Sequence, residues 1–444
     1  MTESPLFIGI DLGTSGCRMI AIDDEGKSIA SIQEDLPKSH SLNGHICQKP
    51  EDWWKCVNKL FKTLLTQINP AVVQRISVNG TSGSVLLIDN AGNPLSPGYM
   101  YNDKGNEKAA KLIAKYAPQD SGAHGSSSGL AKCLCLLDEY QNNEIFRCLN
   151  QADWIAGKLL NQYDFSDENN SLKMGYDPIN RCWPQWLQNL NCQDRLPTSI
   201  YEPGTVVGEV SDEMATTYGF SKDLQVVAGT TDSIAAFIAT GSNQVGDAVT
   251  SLGSTLAIKL ITDKPIFAPK FGVYSHRLGD IWLVGGASNT GGSAILSQFN
   301  QAEIDLLTPD LNPDQLTGLV YYPLPGKGER FPIYDPNKEP ILTPRPEEDI
   351  SFFQGLLESI ARIEKQAYDK LQELGAVYPK QIITMGGGSR NNAWRKIREH
   401  YCKCPVINAT ESDAAYGSAL LAKKAWNKKE DNTNTKKTAD LDAC

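Results

Sequence analysis

The sequence predicts an α/β protein built from two related domains. Three observations carry that prediction. Short apolar bursts open the chain and then give way to alternating helical and strand patterns, the signature of mixed α/β layering. A strand, a Gly-plus-hydroxyl turn and a second strand occur at Asp11–Ile22, and the same arrangement returns at Leu252-Gly253-Ser254-Thr255 followed by LAIKL. The length, 444 residues, suits two domains.

The elements follow in order. LFIGIDLG, CRMIAID and SIASIQEDL read as three antiparallel strands, separated by a Gly-Thr-Ser turn and by Asp24-Glu25-Gly26. Residues 51–67 have helical periodicity and an acidic start, which suits a helix N-terminus. RISVNG and VLLID are strands, the second closed by a hairpin turn over Asn90-Ala91-Gly92-Asn93. Residues 201–224 are turn-rich and precede a new strand, VVAGT, which places a boundary near residue 220. The expected domains are therefore 1–220 and 221–426. The tail over 427–444 is polar, of mixed charge and without periodicity, and is expected to be disordered.

Composition excludes several function classes. Forty-two Lys and Arg against 52 Asp and Glu give a net charge of −10, the wrong sign for a protein that binds nucleic acid by neutralising phosphates. No apolar run reaches the roughly 18–20 residues that span a bilayer, and MTESPLFIGIDLG lacks the basic start of a signal peptide. The expectation is a cytoplasmic protein with no membrane or nucleic-acid partner. Eleven cysteines are scattered, with Cys133/Cys135 and Cys402/Cys404 as CxC pairs, and only five His are present. No finger-like spacing results, so reduced thiols are expected rather than a structural zinc site.

The chemistry must lie elsewhere than in the common loops. There is no P-loop, and no GxGxxG follows the first strand. Gly125-Ser126-Ser127-Ser128-Gly129 fits GxSxG, but no apolar strand precedes it, and Ser127 or Ser128 reads as a helix N-cap. The turn Asp11-Leu12-Gly13-Thr14-Ser15-Gly16 offers backbone donors, hydroxyls and a carboxylate. Such a turn suits phosphate and Mg²⁺, and equally an ordinary hairpin. Its echo at Gly253-Ser254-Thr255 favours a pair of phosphate-binding turns. In Gly229-Thr230-Thr231-Asp232-Ser233 the Asp lies between a strand and an apolar helix. It can serve as a general base, as an N-cap, or as both. Ile382–Asn392 ends a strand in three consecutive glycines before a helix, which suits a nucleotide base or ribose lying on bare backbone.

These segments resemble, in family order, the FGGY family of carbohydrate kinases within the actin-like ATPase superfamily. The resemblance rests on IGIDLGTSGCRMIAID, PLSPGYMYND, VVAGTTDSIAAFIATG, SLGSTLAIKL, GKGERFPIYDP and ITMGGGSRNNAWRKI, and covers roughly residues 6–425. It implies two actin-like (ribonuclease H-like) domains with an ATP and sugar cleft between them. By resemblance Asp232 is the catalytic base and touches substrate, and Asp11 helps hold Mg²⁺ and substrate. Gly13, Thr14 and Ser15 match one phosphate loop, and Gly253, Ser254 and Thr255 the other. Asn289, Gly291 and Gly292 match a hinge near the nucleotide, and Gly386, Gly387, Gly388 and Asn391 the adenosine segment. ATP, Mg²⁺ and a small sugar are the implied ligands.

The implied substrate is a ketopentose. Xylulose kinases of the family usually carry Gln-Met-His-Gly after the strand matching RISV, whereas this chain reads Asn79-Gly80-Thr81-Ser82-Gly83. That compact form resembles cyanobacterial and plant plastid kinases that prefer D-ribulose, with Ser82 and Asp103 as sugar contacts. D-xylulose is the alternative within the family. A nucleotide-binding sugar sensor without turnover, and a filament-forming or chaperone-like ATPase, are the alternatives of other classes.

Overall fold

The computed structural model describes residues 4–141 and 144–426, so the tail over 427–444 lies outside the described residues. The described residues form two compact units, one within 4–241 together with 411–426, and one over 242–410.

The first unit is organised by a six-stranded sheet. Its strands are β1 (Leu6–Leu12), β2 (Gly16–Ile22), β3 (Ser28–Asp35), β4 (Val73–Gly80), β5 (Val206–Glu209) and β6 (Gln225–Thr231), in the order β5-β6-β4-β1-β2-β3. The three opening strands are antiparallel as the sequence predicts, whereas β1, β4 and β6 run parallel. β1 carries buried residues on both faces, which is the pattern of a strand covered by helices on each side. One cover is α1 (Pro50–Leu64), whose Trp53, Val57, Leu60, Phe61 and Leu64 recur at helical spacing and are buried. Pro50 starts it, and Glu51 and Asp52 complement the dipole in its first turn.

The second unit repeats the plan. Its strands are β7 (Asp247–Leu252), β8 (Leu256–Thr262), β9 (Tyr274–Leu278), β10 (Ile281–Ser288), β11 (Gln381–Met385) and β12 (Val406–Asn408), ordered β9-β10-β8-β7-β11-β12. Five strands correspond between the units: β3-β2-β1-β4-β6 matches β10-β8-β7-β11-β12. In both, two antiparallel neighbours lie on one side of the leading strand and two parallel ones on the other. The echo of the Gly-plus-hydroxyl turn is thus part of a duplicated fold.

A long buried helix, residues 349–373, packs in the second unit and brings Glu364 into the core. Arg398 donates to both Glu364 oxygens at 2.6 Å and to Thr384 Oγ1 at 2.6 Å, while Thr250 donates to Glu364 at 2.5 Å. The network ties β7 and β11 to two helices, and each charge in it has its partner.

The expected boundary near residue 220 is displaced. β5 pairs antiparallel with β6, with Val206 opposite Val227 and Glu209 opposite Gln225, so the turn-rich stretch belongs to the first sheet. A short helix over 212–218, capped by Ser211, fills the rest of it. Gly, Pro and Thr concealed an edge strand that has few apolar residues to bury. Asp232 accordingly lies in the first unit, not in a domain beginning at residue 221.

The last helix, residues 414–426, also belongs to the first unit. Ala415, Ala419 and Ala422 form a buried cluster with Phe7, Ile20, Ile22 and Val227. The approach is very close: a methyl carbon on Gly9 would lie 1.9 Å from the Ala415 carbonyl oxygen, and one on Gly417 1.9 Å from that of Ala235. Only residues without a side chain permit that distance. Gly9→Ala is expected to force the helix off β1 and destabilise the protein by about 1–3 kcal/mol, read as a lower midpoint in urea unfolding with the circular dichroism of the native state retained.

Candidate active site

The carboxyl ends of β1, β4 and β6 lie side by side, with Asp11 in register with Asn79 and Asn79 with Thr230. In open α/β sheets ligands gather at such strand ends. Asp11 pairs in register with Arg18 of β2, and Arg18 forms an ion pair with Asp413 and donates to Gln33 at 2.9 Å. Among the described residues, Asp11 Oδ1 is buried with no hydrogen-bond partner. Burial pushes its pKa up to about 7, Asp232 and Asp413 add repulsion, and Arg18 opposes them. Three carboxylates therefore act on one another here, two of them from strand ends and one from the chain's return at residue 413.

Asp232 is the first residue of α2 (Asp232–Ala239), and Thr231 is the N-cap. The register of β6 shifts between Val227 and Thr230. A methyl carbon on Gly229 would lie 1.7 Å from the Val78 carbonyl oxygen, so the bulge requires glycine. A bulge of this kind re-aims the strand end next to a site. Asn169 Nδ2 holds Thr230 Oγ1 at 3.0 Å, and the Ser233 N–H donates to Asp232 Oδ1 at 2.7 Å. The reading of Asp232 at a helix N-terminus holds.

Lys173 was not legible in the sequence, since SLKMG has no motif around it. Its Nζ lies 3.5 Å from the Ser82 carbonyl oxygen. Burial lowers its pKa, and the Asp232 carboxylate acts in the opposite direction. Arg18 and Asp413 were missed for the same reason: residues 395 positions apart meet only in the fold.

The segment 79–84 is largely committed to the protein. Asn79 Nδ2 donates to Ala414 O at 3.0 Å and Ser418 Oγ at 2.7 Å. Thr81 Oγ1 bonds Gln151 Oε1 at 2.9 Å and Ser84 Oγ at 2.6 Å. Among the described residues, the Ser82 hydroxyl has no such partner. Below it the buried Lys132 donates to Gly83 O at 2.9 Å and Ser127 O at 2.7 Å. Ser128 caps the helix over residues 129–139 by accepting from the Ala131 N–H, so GSSSG is a cap, as read.

Asp103 differs from the expected sugar contact. It is 1% exposed. Its oxygens accept from the Ile46 N–H at 3.0 Å and from Asn106 Nδ2 at 2.7 Å, and Oδ2 lies 3.0 Å from His45 Nδ1. Burial alone would raise its pKa, but the hydrogen bonds from His45, Ile46 and Asn106 outweigh that and hold it low. This carboxylate is directed at its own chain and shapes the block that carries it.

The first of the two turns expected to bind phosphate is closed by the Gly13 N–H donating to Gly16 O at 2.9 Å, and Gln48 Nε2 donates to Thr14 O at 2.8 Å. Ser15 is exposed. In the second unit, three of the expected segments come together. Gly292 and Ser293 donate to the carbonyls of Gly253 and Ser254 at 2.8 and 3.0 Å. A methyl carbon on Gly291 would strike the Thr255 backbone at 2.7 Å, and one on Gly386 the Leu252 carbonyl oxygen at 2.8 Å. Ser254, Gly386 and Gly387 are exposed, and Gly388 and Thr255 half-buried.

Two polar residues of this group have structural work. Asn289 Nδ2 donates to Gly328 O at 2.9 Å, and its N–H to Glu329 Oε1 at 2.8 Å. Glu329, from GKGERFPIYDP, also accepts from Ser288 Oγ at 2.6 Å and Tyr322 OH at 3.0 Å. The specific Glu-Arg-Phe-Pro block therefore anchors the 288–292 turn. Asn391 Oδ1 caps the following helix by accepting from the Trp394 N–H at 2.9 Å.

Comparison with known proteins agrees with this arrangement. Residues 6–239 match the N-terminal domain of the FGGY family of carbohydrate kinases, and residues 248–426 the C-terminal domain. The chain is 25% identical to xylulose kinase of Escherichia coli (strain K12), over 95% of this chain and 90% of that protein. Two crystal structures from Lactobacillus acidophilus, a gluconate kinase and a ligand-bound xylulose kinase, superpose with a TM-score of 0.83 each. Their identities are 18% and 19%, and both comparisons cover 98% of this chain and 91% of the other. Equal likeness to kinases named for different sugars shows the fold and leaves the sugar to the site. No described helix is long and apolar enough to cross a membrane.

The raised Asp11 pKa has a stability consequence. A carboxyl whose pKa rises on folding, here from 3.8 to about 7, favours the folded state at low pH and loses that contribution as pH rises through the folded value. Asp11→Asn is therefore expected to melt higher than the parent protein above pH of about 7 in chelator-treated buffer. The difference should close as pH falls toward 4, followed by the melting temperature across pH.

Proposed function

The chain belongs to the FGGY family of carbohydrate kinases, and we propose that it transfers the γ-phosphoryl group of ATP to the terminal hydroxyl of a ketopentose, D-ribulose first. The observation that carries the transfer reaction is the Asp232 carboxylate, aimed by a glycine bulge and held in the electrostatic company of Asp11 and Lys173. The helix N-terminus and Lys173 place positive charge beside that carboxylate. The Ser233 N–H fixes one carboxylate oxygen. The carboxylate accepts the proton of the attacking sugar hydroxyl, a contribution of about 10²–10⁴-fold.

The remaining assignments follow from donor chemistry. Asp11 Oδ1, buried and without a hydrogen-bond partner among the described residues, fits an oxygen-seeking cation or its bound water, and Asp413 and Asp232 add negative charge beside it. Mg²⁺ held there would neutralise charge on the transferring phosphoryl group. Gly13–Ser15 and Gly253–Thr255 offer bare backbone and hydroxyls to phosphates, and Gly386–Gly388 to adenosine. Arg18, paired with Asp413, also acts directly on Asp11 and opposes the rise in its pKa.

The sugar reading rests on Asn79–Gly83. Its Asn79 and Thr81 side chains are turned to the protein, which leaves the Ser82 hydroxyl and the neighbouring Lys173 to meet substrate, with no imidazole at the wall. Pentuloses that differ at one hydroxyl are separated by which hydrogen-bond partners they meet, and this set differs from Gln-Met-His. D-xylulose is the second reading, favoured by the name of the E. coli relative.

ATP consumption with Mg²⁺, coupled to an indicator reaction, should depend on added sugar and run faster with D-ribulose than with D-xylulose, L-ribulose, L-xylulose, glycerol or ribitol. A D-xylulose preference would overturn the D-ribulose assignment, and turnover without sugar dependence would overturn the kinase reading. Asp232→Asn should lower kcat by about 10²–10⁴-fold with sugar KM little changed. Near-normal turnover would remove Asp232 from the role of base.

A further inference from the structure

A second group of side chains in the first unit lies behind the Asp103 block and takes no part in the proposed reaction. His45 begins a short strand over residues 45–48, and Cys135 and Glu139 lie one turn apart on the helix over 129–139. Their donor atoms converge. His45 Nε2 is 3.2 Å from Glu139 Oε1 and 3.8 Å from Cys135 Sγ, and Cys135 Sγ is 3.4 Å from Glu139 Oε1. Bond lengths to zinc of about 2.0–2.3 Å at tetrahedral angles put such N, S and O ligands about 3.4–3.6 Å apart. The three observed edges agree to within roughly 0.2 Å.

The surroundings are also those of a metal ligand set. His45 Nδ1 faces Asp103 Oδ2 at 3.0 Å, which orients the ring with Nε2 toward Cys135 and Glu139. That carboxylate–histidine relay is the usual outer shell of a zinc-bound imidazole. Tyr99 stacks on His45 with centroids 4.4 Å apart and donates its hydroxyl to Glu139 Oε2, fixing the second ligand in turn. Cys135 is a free thiol. His45 has 6% of its side chain exposed and Glu139 31%, so the group opens to solvent on the Glu139 side, where a water can complete four-coordination.

We propose that His45, Cys135 and Glu139 form a zinc site, with one position left to water. The mixed N, S and O donors select zinc or a similar borderline divalent ion over Mg²⁺. The ion joins the helix over 129–139 to the strand over 45–48. Lys132 on that same helix holds the Gly83 and Ser127 carbonyls, so the site fastens the support of the Ser82 turn without touching substrate.

The test uses the full chain, stripped with chelator and reduced, and titrated with Zn²⁺ alone against a competing indicator. One equivalent should bind at least about tenfold more tightly to the parent than to Cys135→Ser or Glu139→Gln. Co²⁺ added to the unaltered protein should show a thiolate-to-cobalt charge-transfer band, which needs no variant to fold and which Cys135→Ser abolishes. Equal Zn²⁺ affinity in parent and Cys135→Ser, or a Co²⁺ complex without the thiolate band, would overturn the site and leave His45 as a structural link between Asp103 and Glu139.

Discussion

The rest of the site depends on how closely the final helix lies against β1. Gly9 and Gly417 set that distance, since a side chain at either would enter a neighbouring carbonyl oxygen. With the helix in place, Ala414 O and Ser418 Oγ take up the Asn79 amide, and Asp413 is brought to Arg18 and within the field of Asp11. Asp413's share of the charge around Asp11 thus comes with that packing contact, beside the burial and the Asp232 carboxylate that also raise its proton affinity. A carboxylate left exposed at the end of β1 would have neither property.

The two units share a strand order but use their turns differently. In the first, the strand ends that carry Asp11 and lead to Asp232 gather acidic groups, with Lys173 in the field of Asp232. In the second, the matching turn after β7 is braced by the 288–293 turn and by the glycine run after β11, with Glu329 anchoring that brace. The buried Glu364–Arg398 pair holds β7 and β11 against their helices. Rigid support of a glycine-rich turn matters because bare backbone has little conformational preference of its own.

Several residues read as functional also hold their own chain, and the reason is common to them. Asp103, Asn289 and Asn391 are short polar side chains at element ends, where unpaired backbone groups need partners. Each is taken up by such a group: Ile46 N–H for Asp103, Gly328 O for Asn289 and the Trp394 N–H for Asn391. A motif position can be characteristic of a family because it shapes a turn, not because it meets a ligand.

The sequence by itself determined the α/β class, the duplicated strand–turn–strand, the Ser128 cap, the position of Asp232 at a helix start and the family, because these depend on local periodicity, turn chemistry and ordered motifs. It misplaced the boundary near residue 220, since an edge strand with little to bury carries almost no apolar pattern. Only the tertiary structure decided that the last helix returns to the first unit, that Arg18, Lys173 and Asp413 stand by Asp11 and Asp232, and that His45 meets Cys135 and Glu139. Those meetings join residues tens to hundreds of positions apart. Spacing along the chain records which groups share a turn or a helix face, whereas the electrostatics of a site are summed over whatever packing brings within a few ångströms.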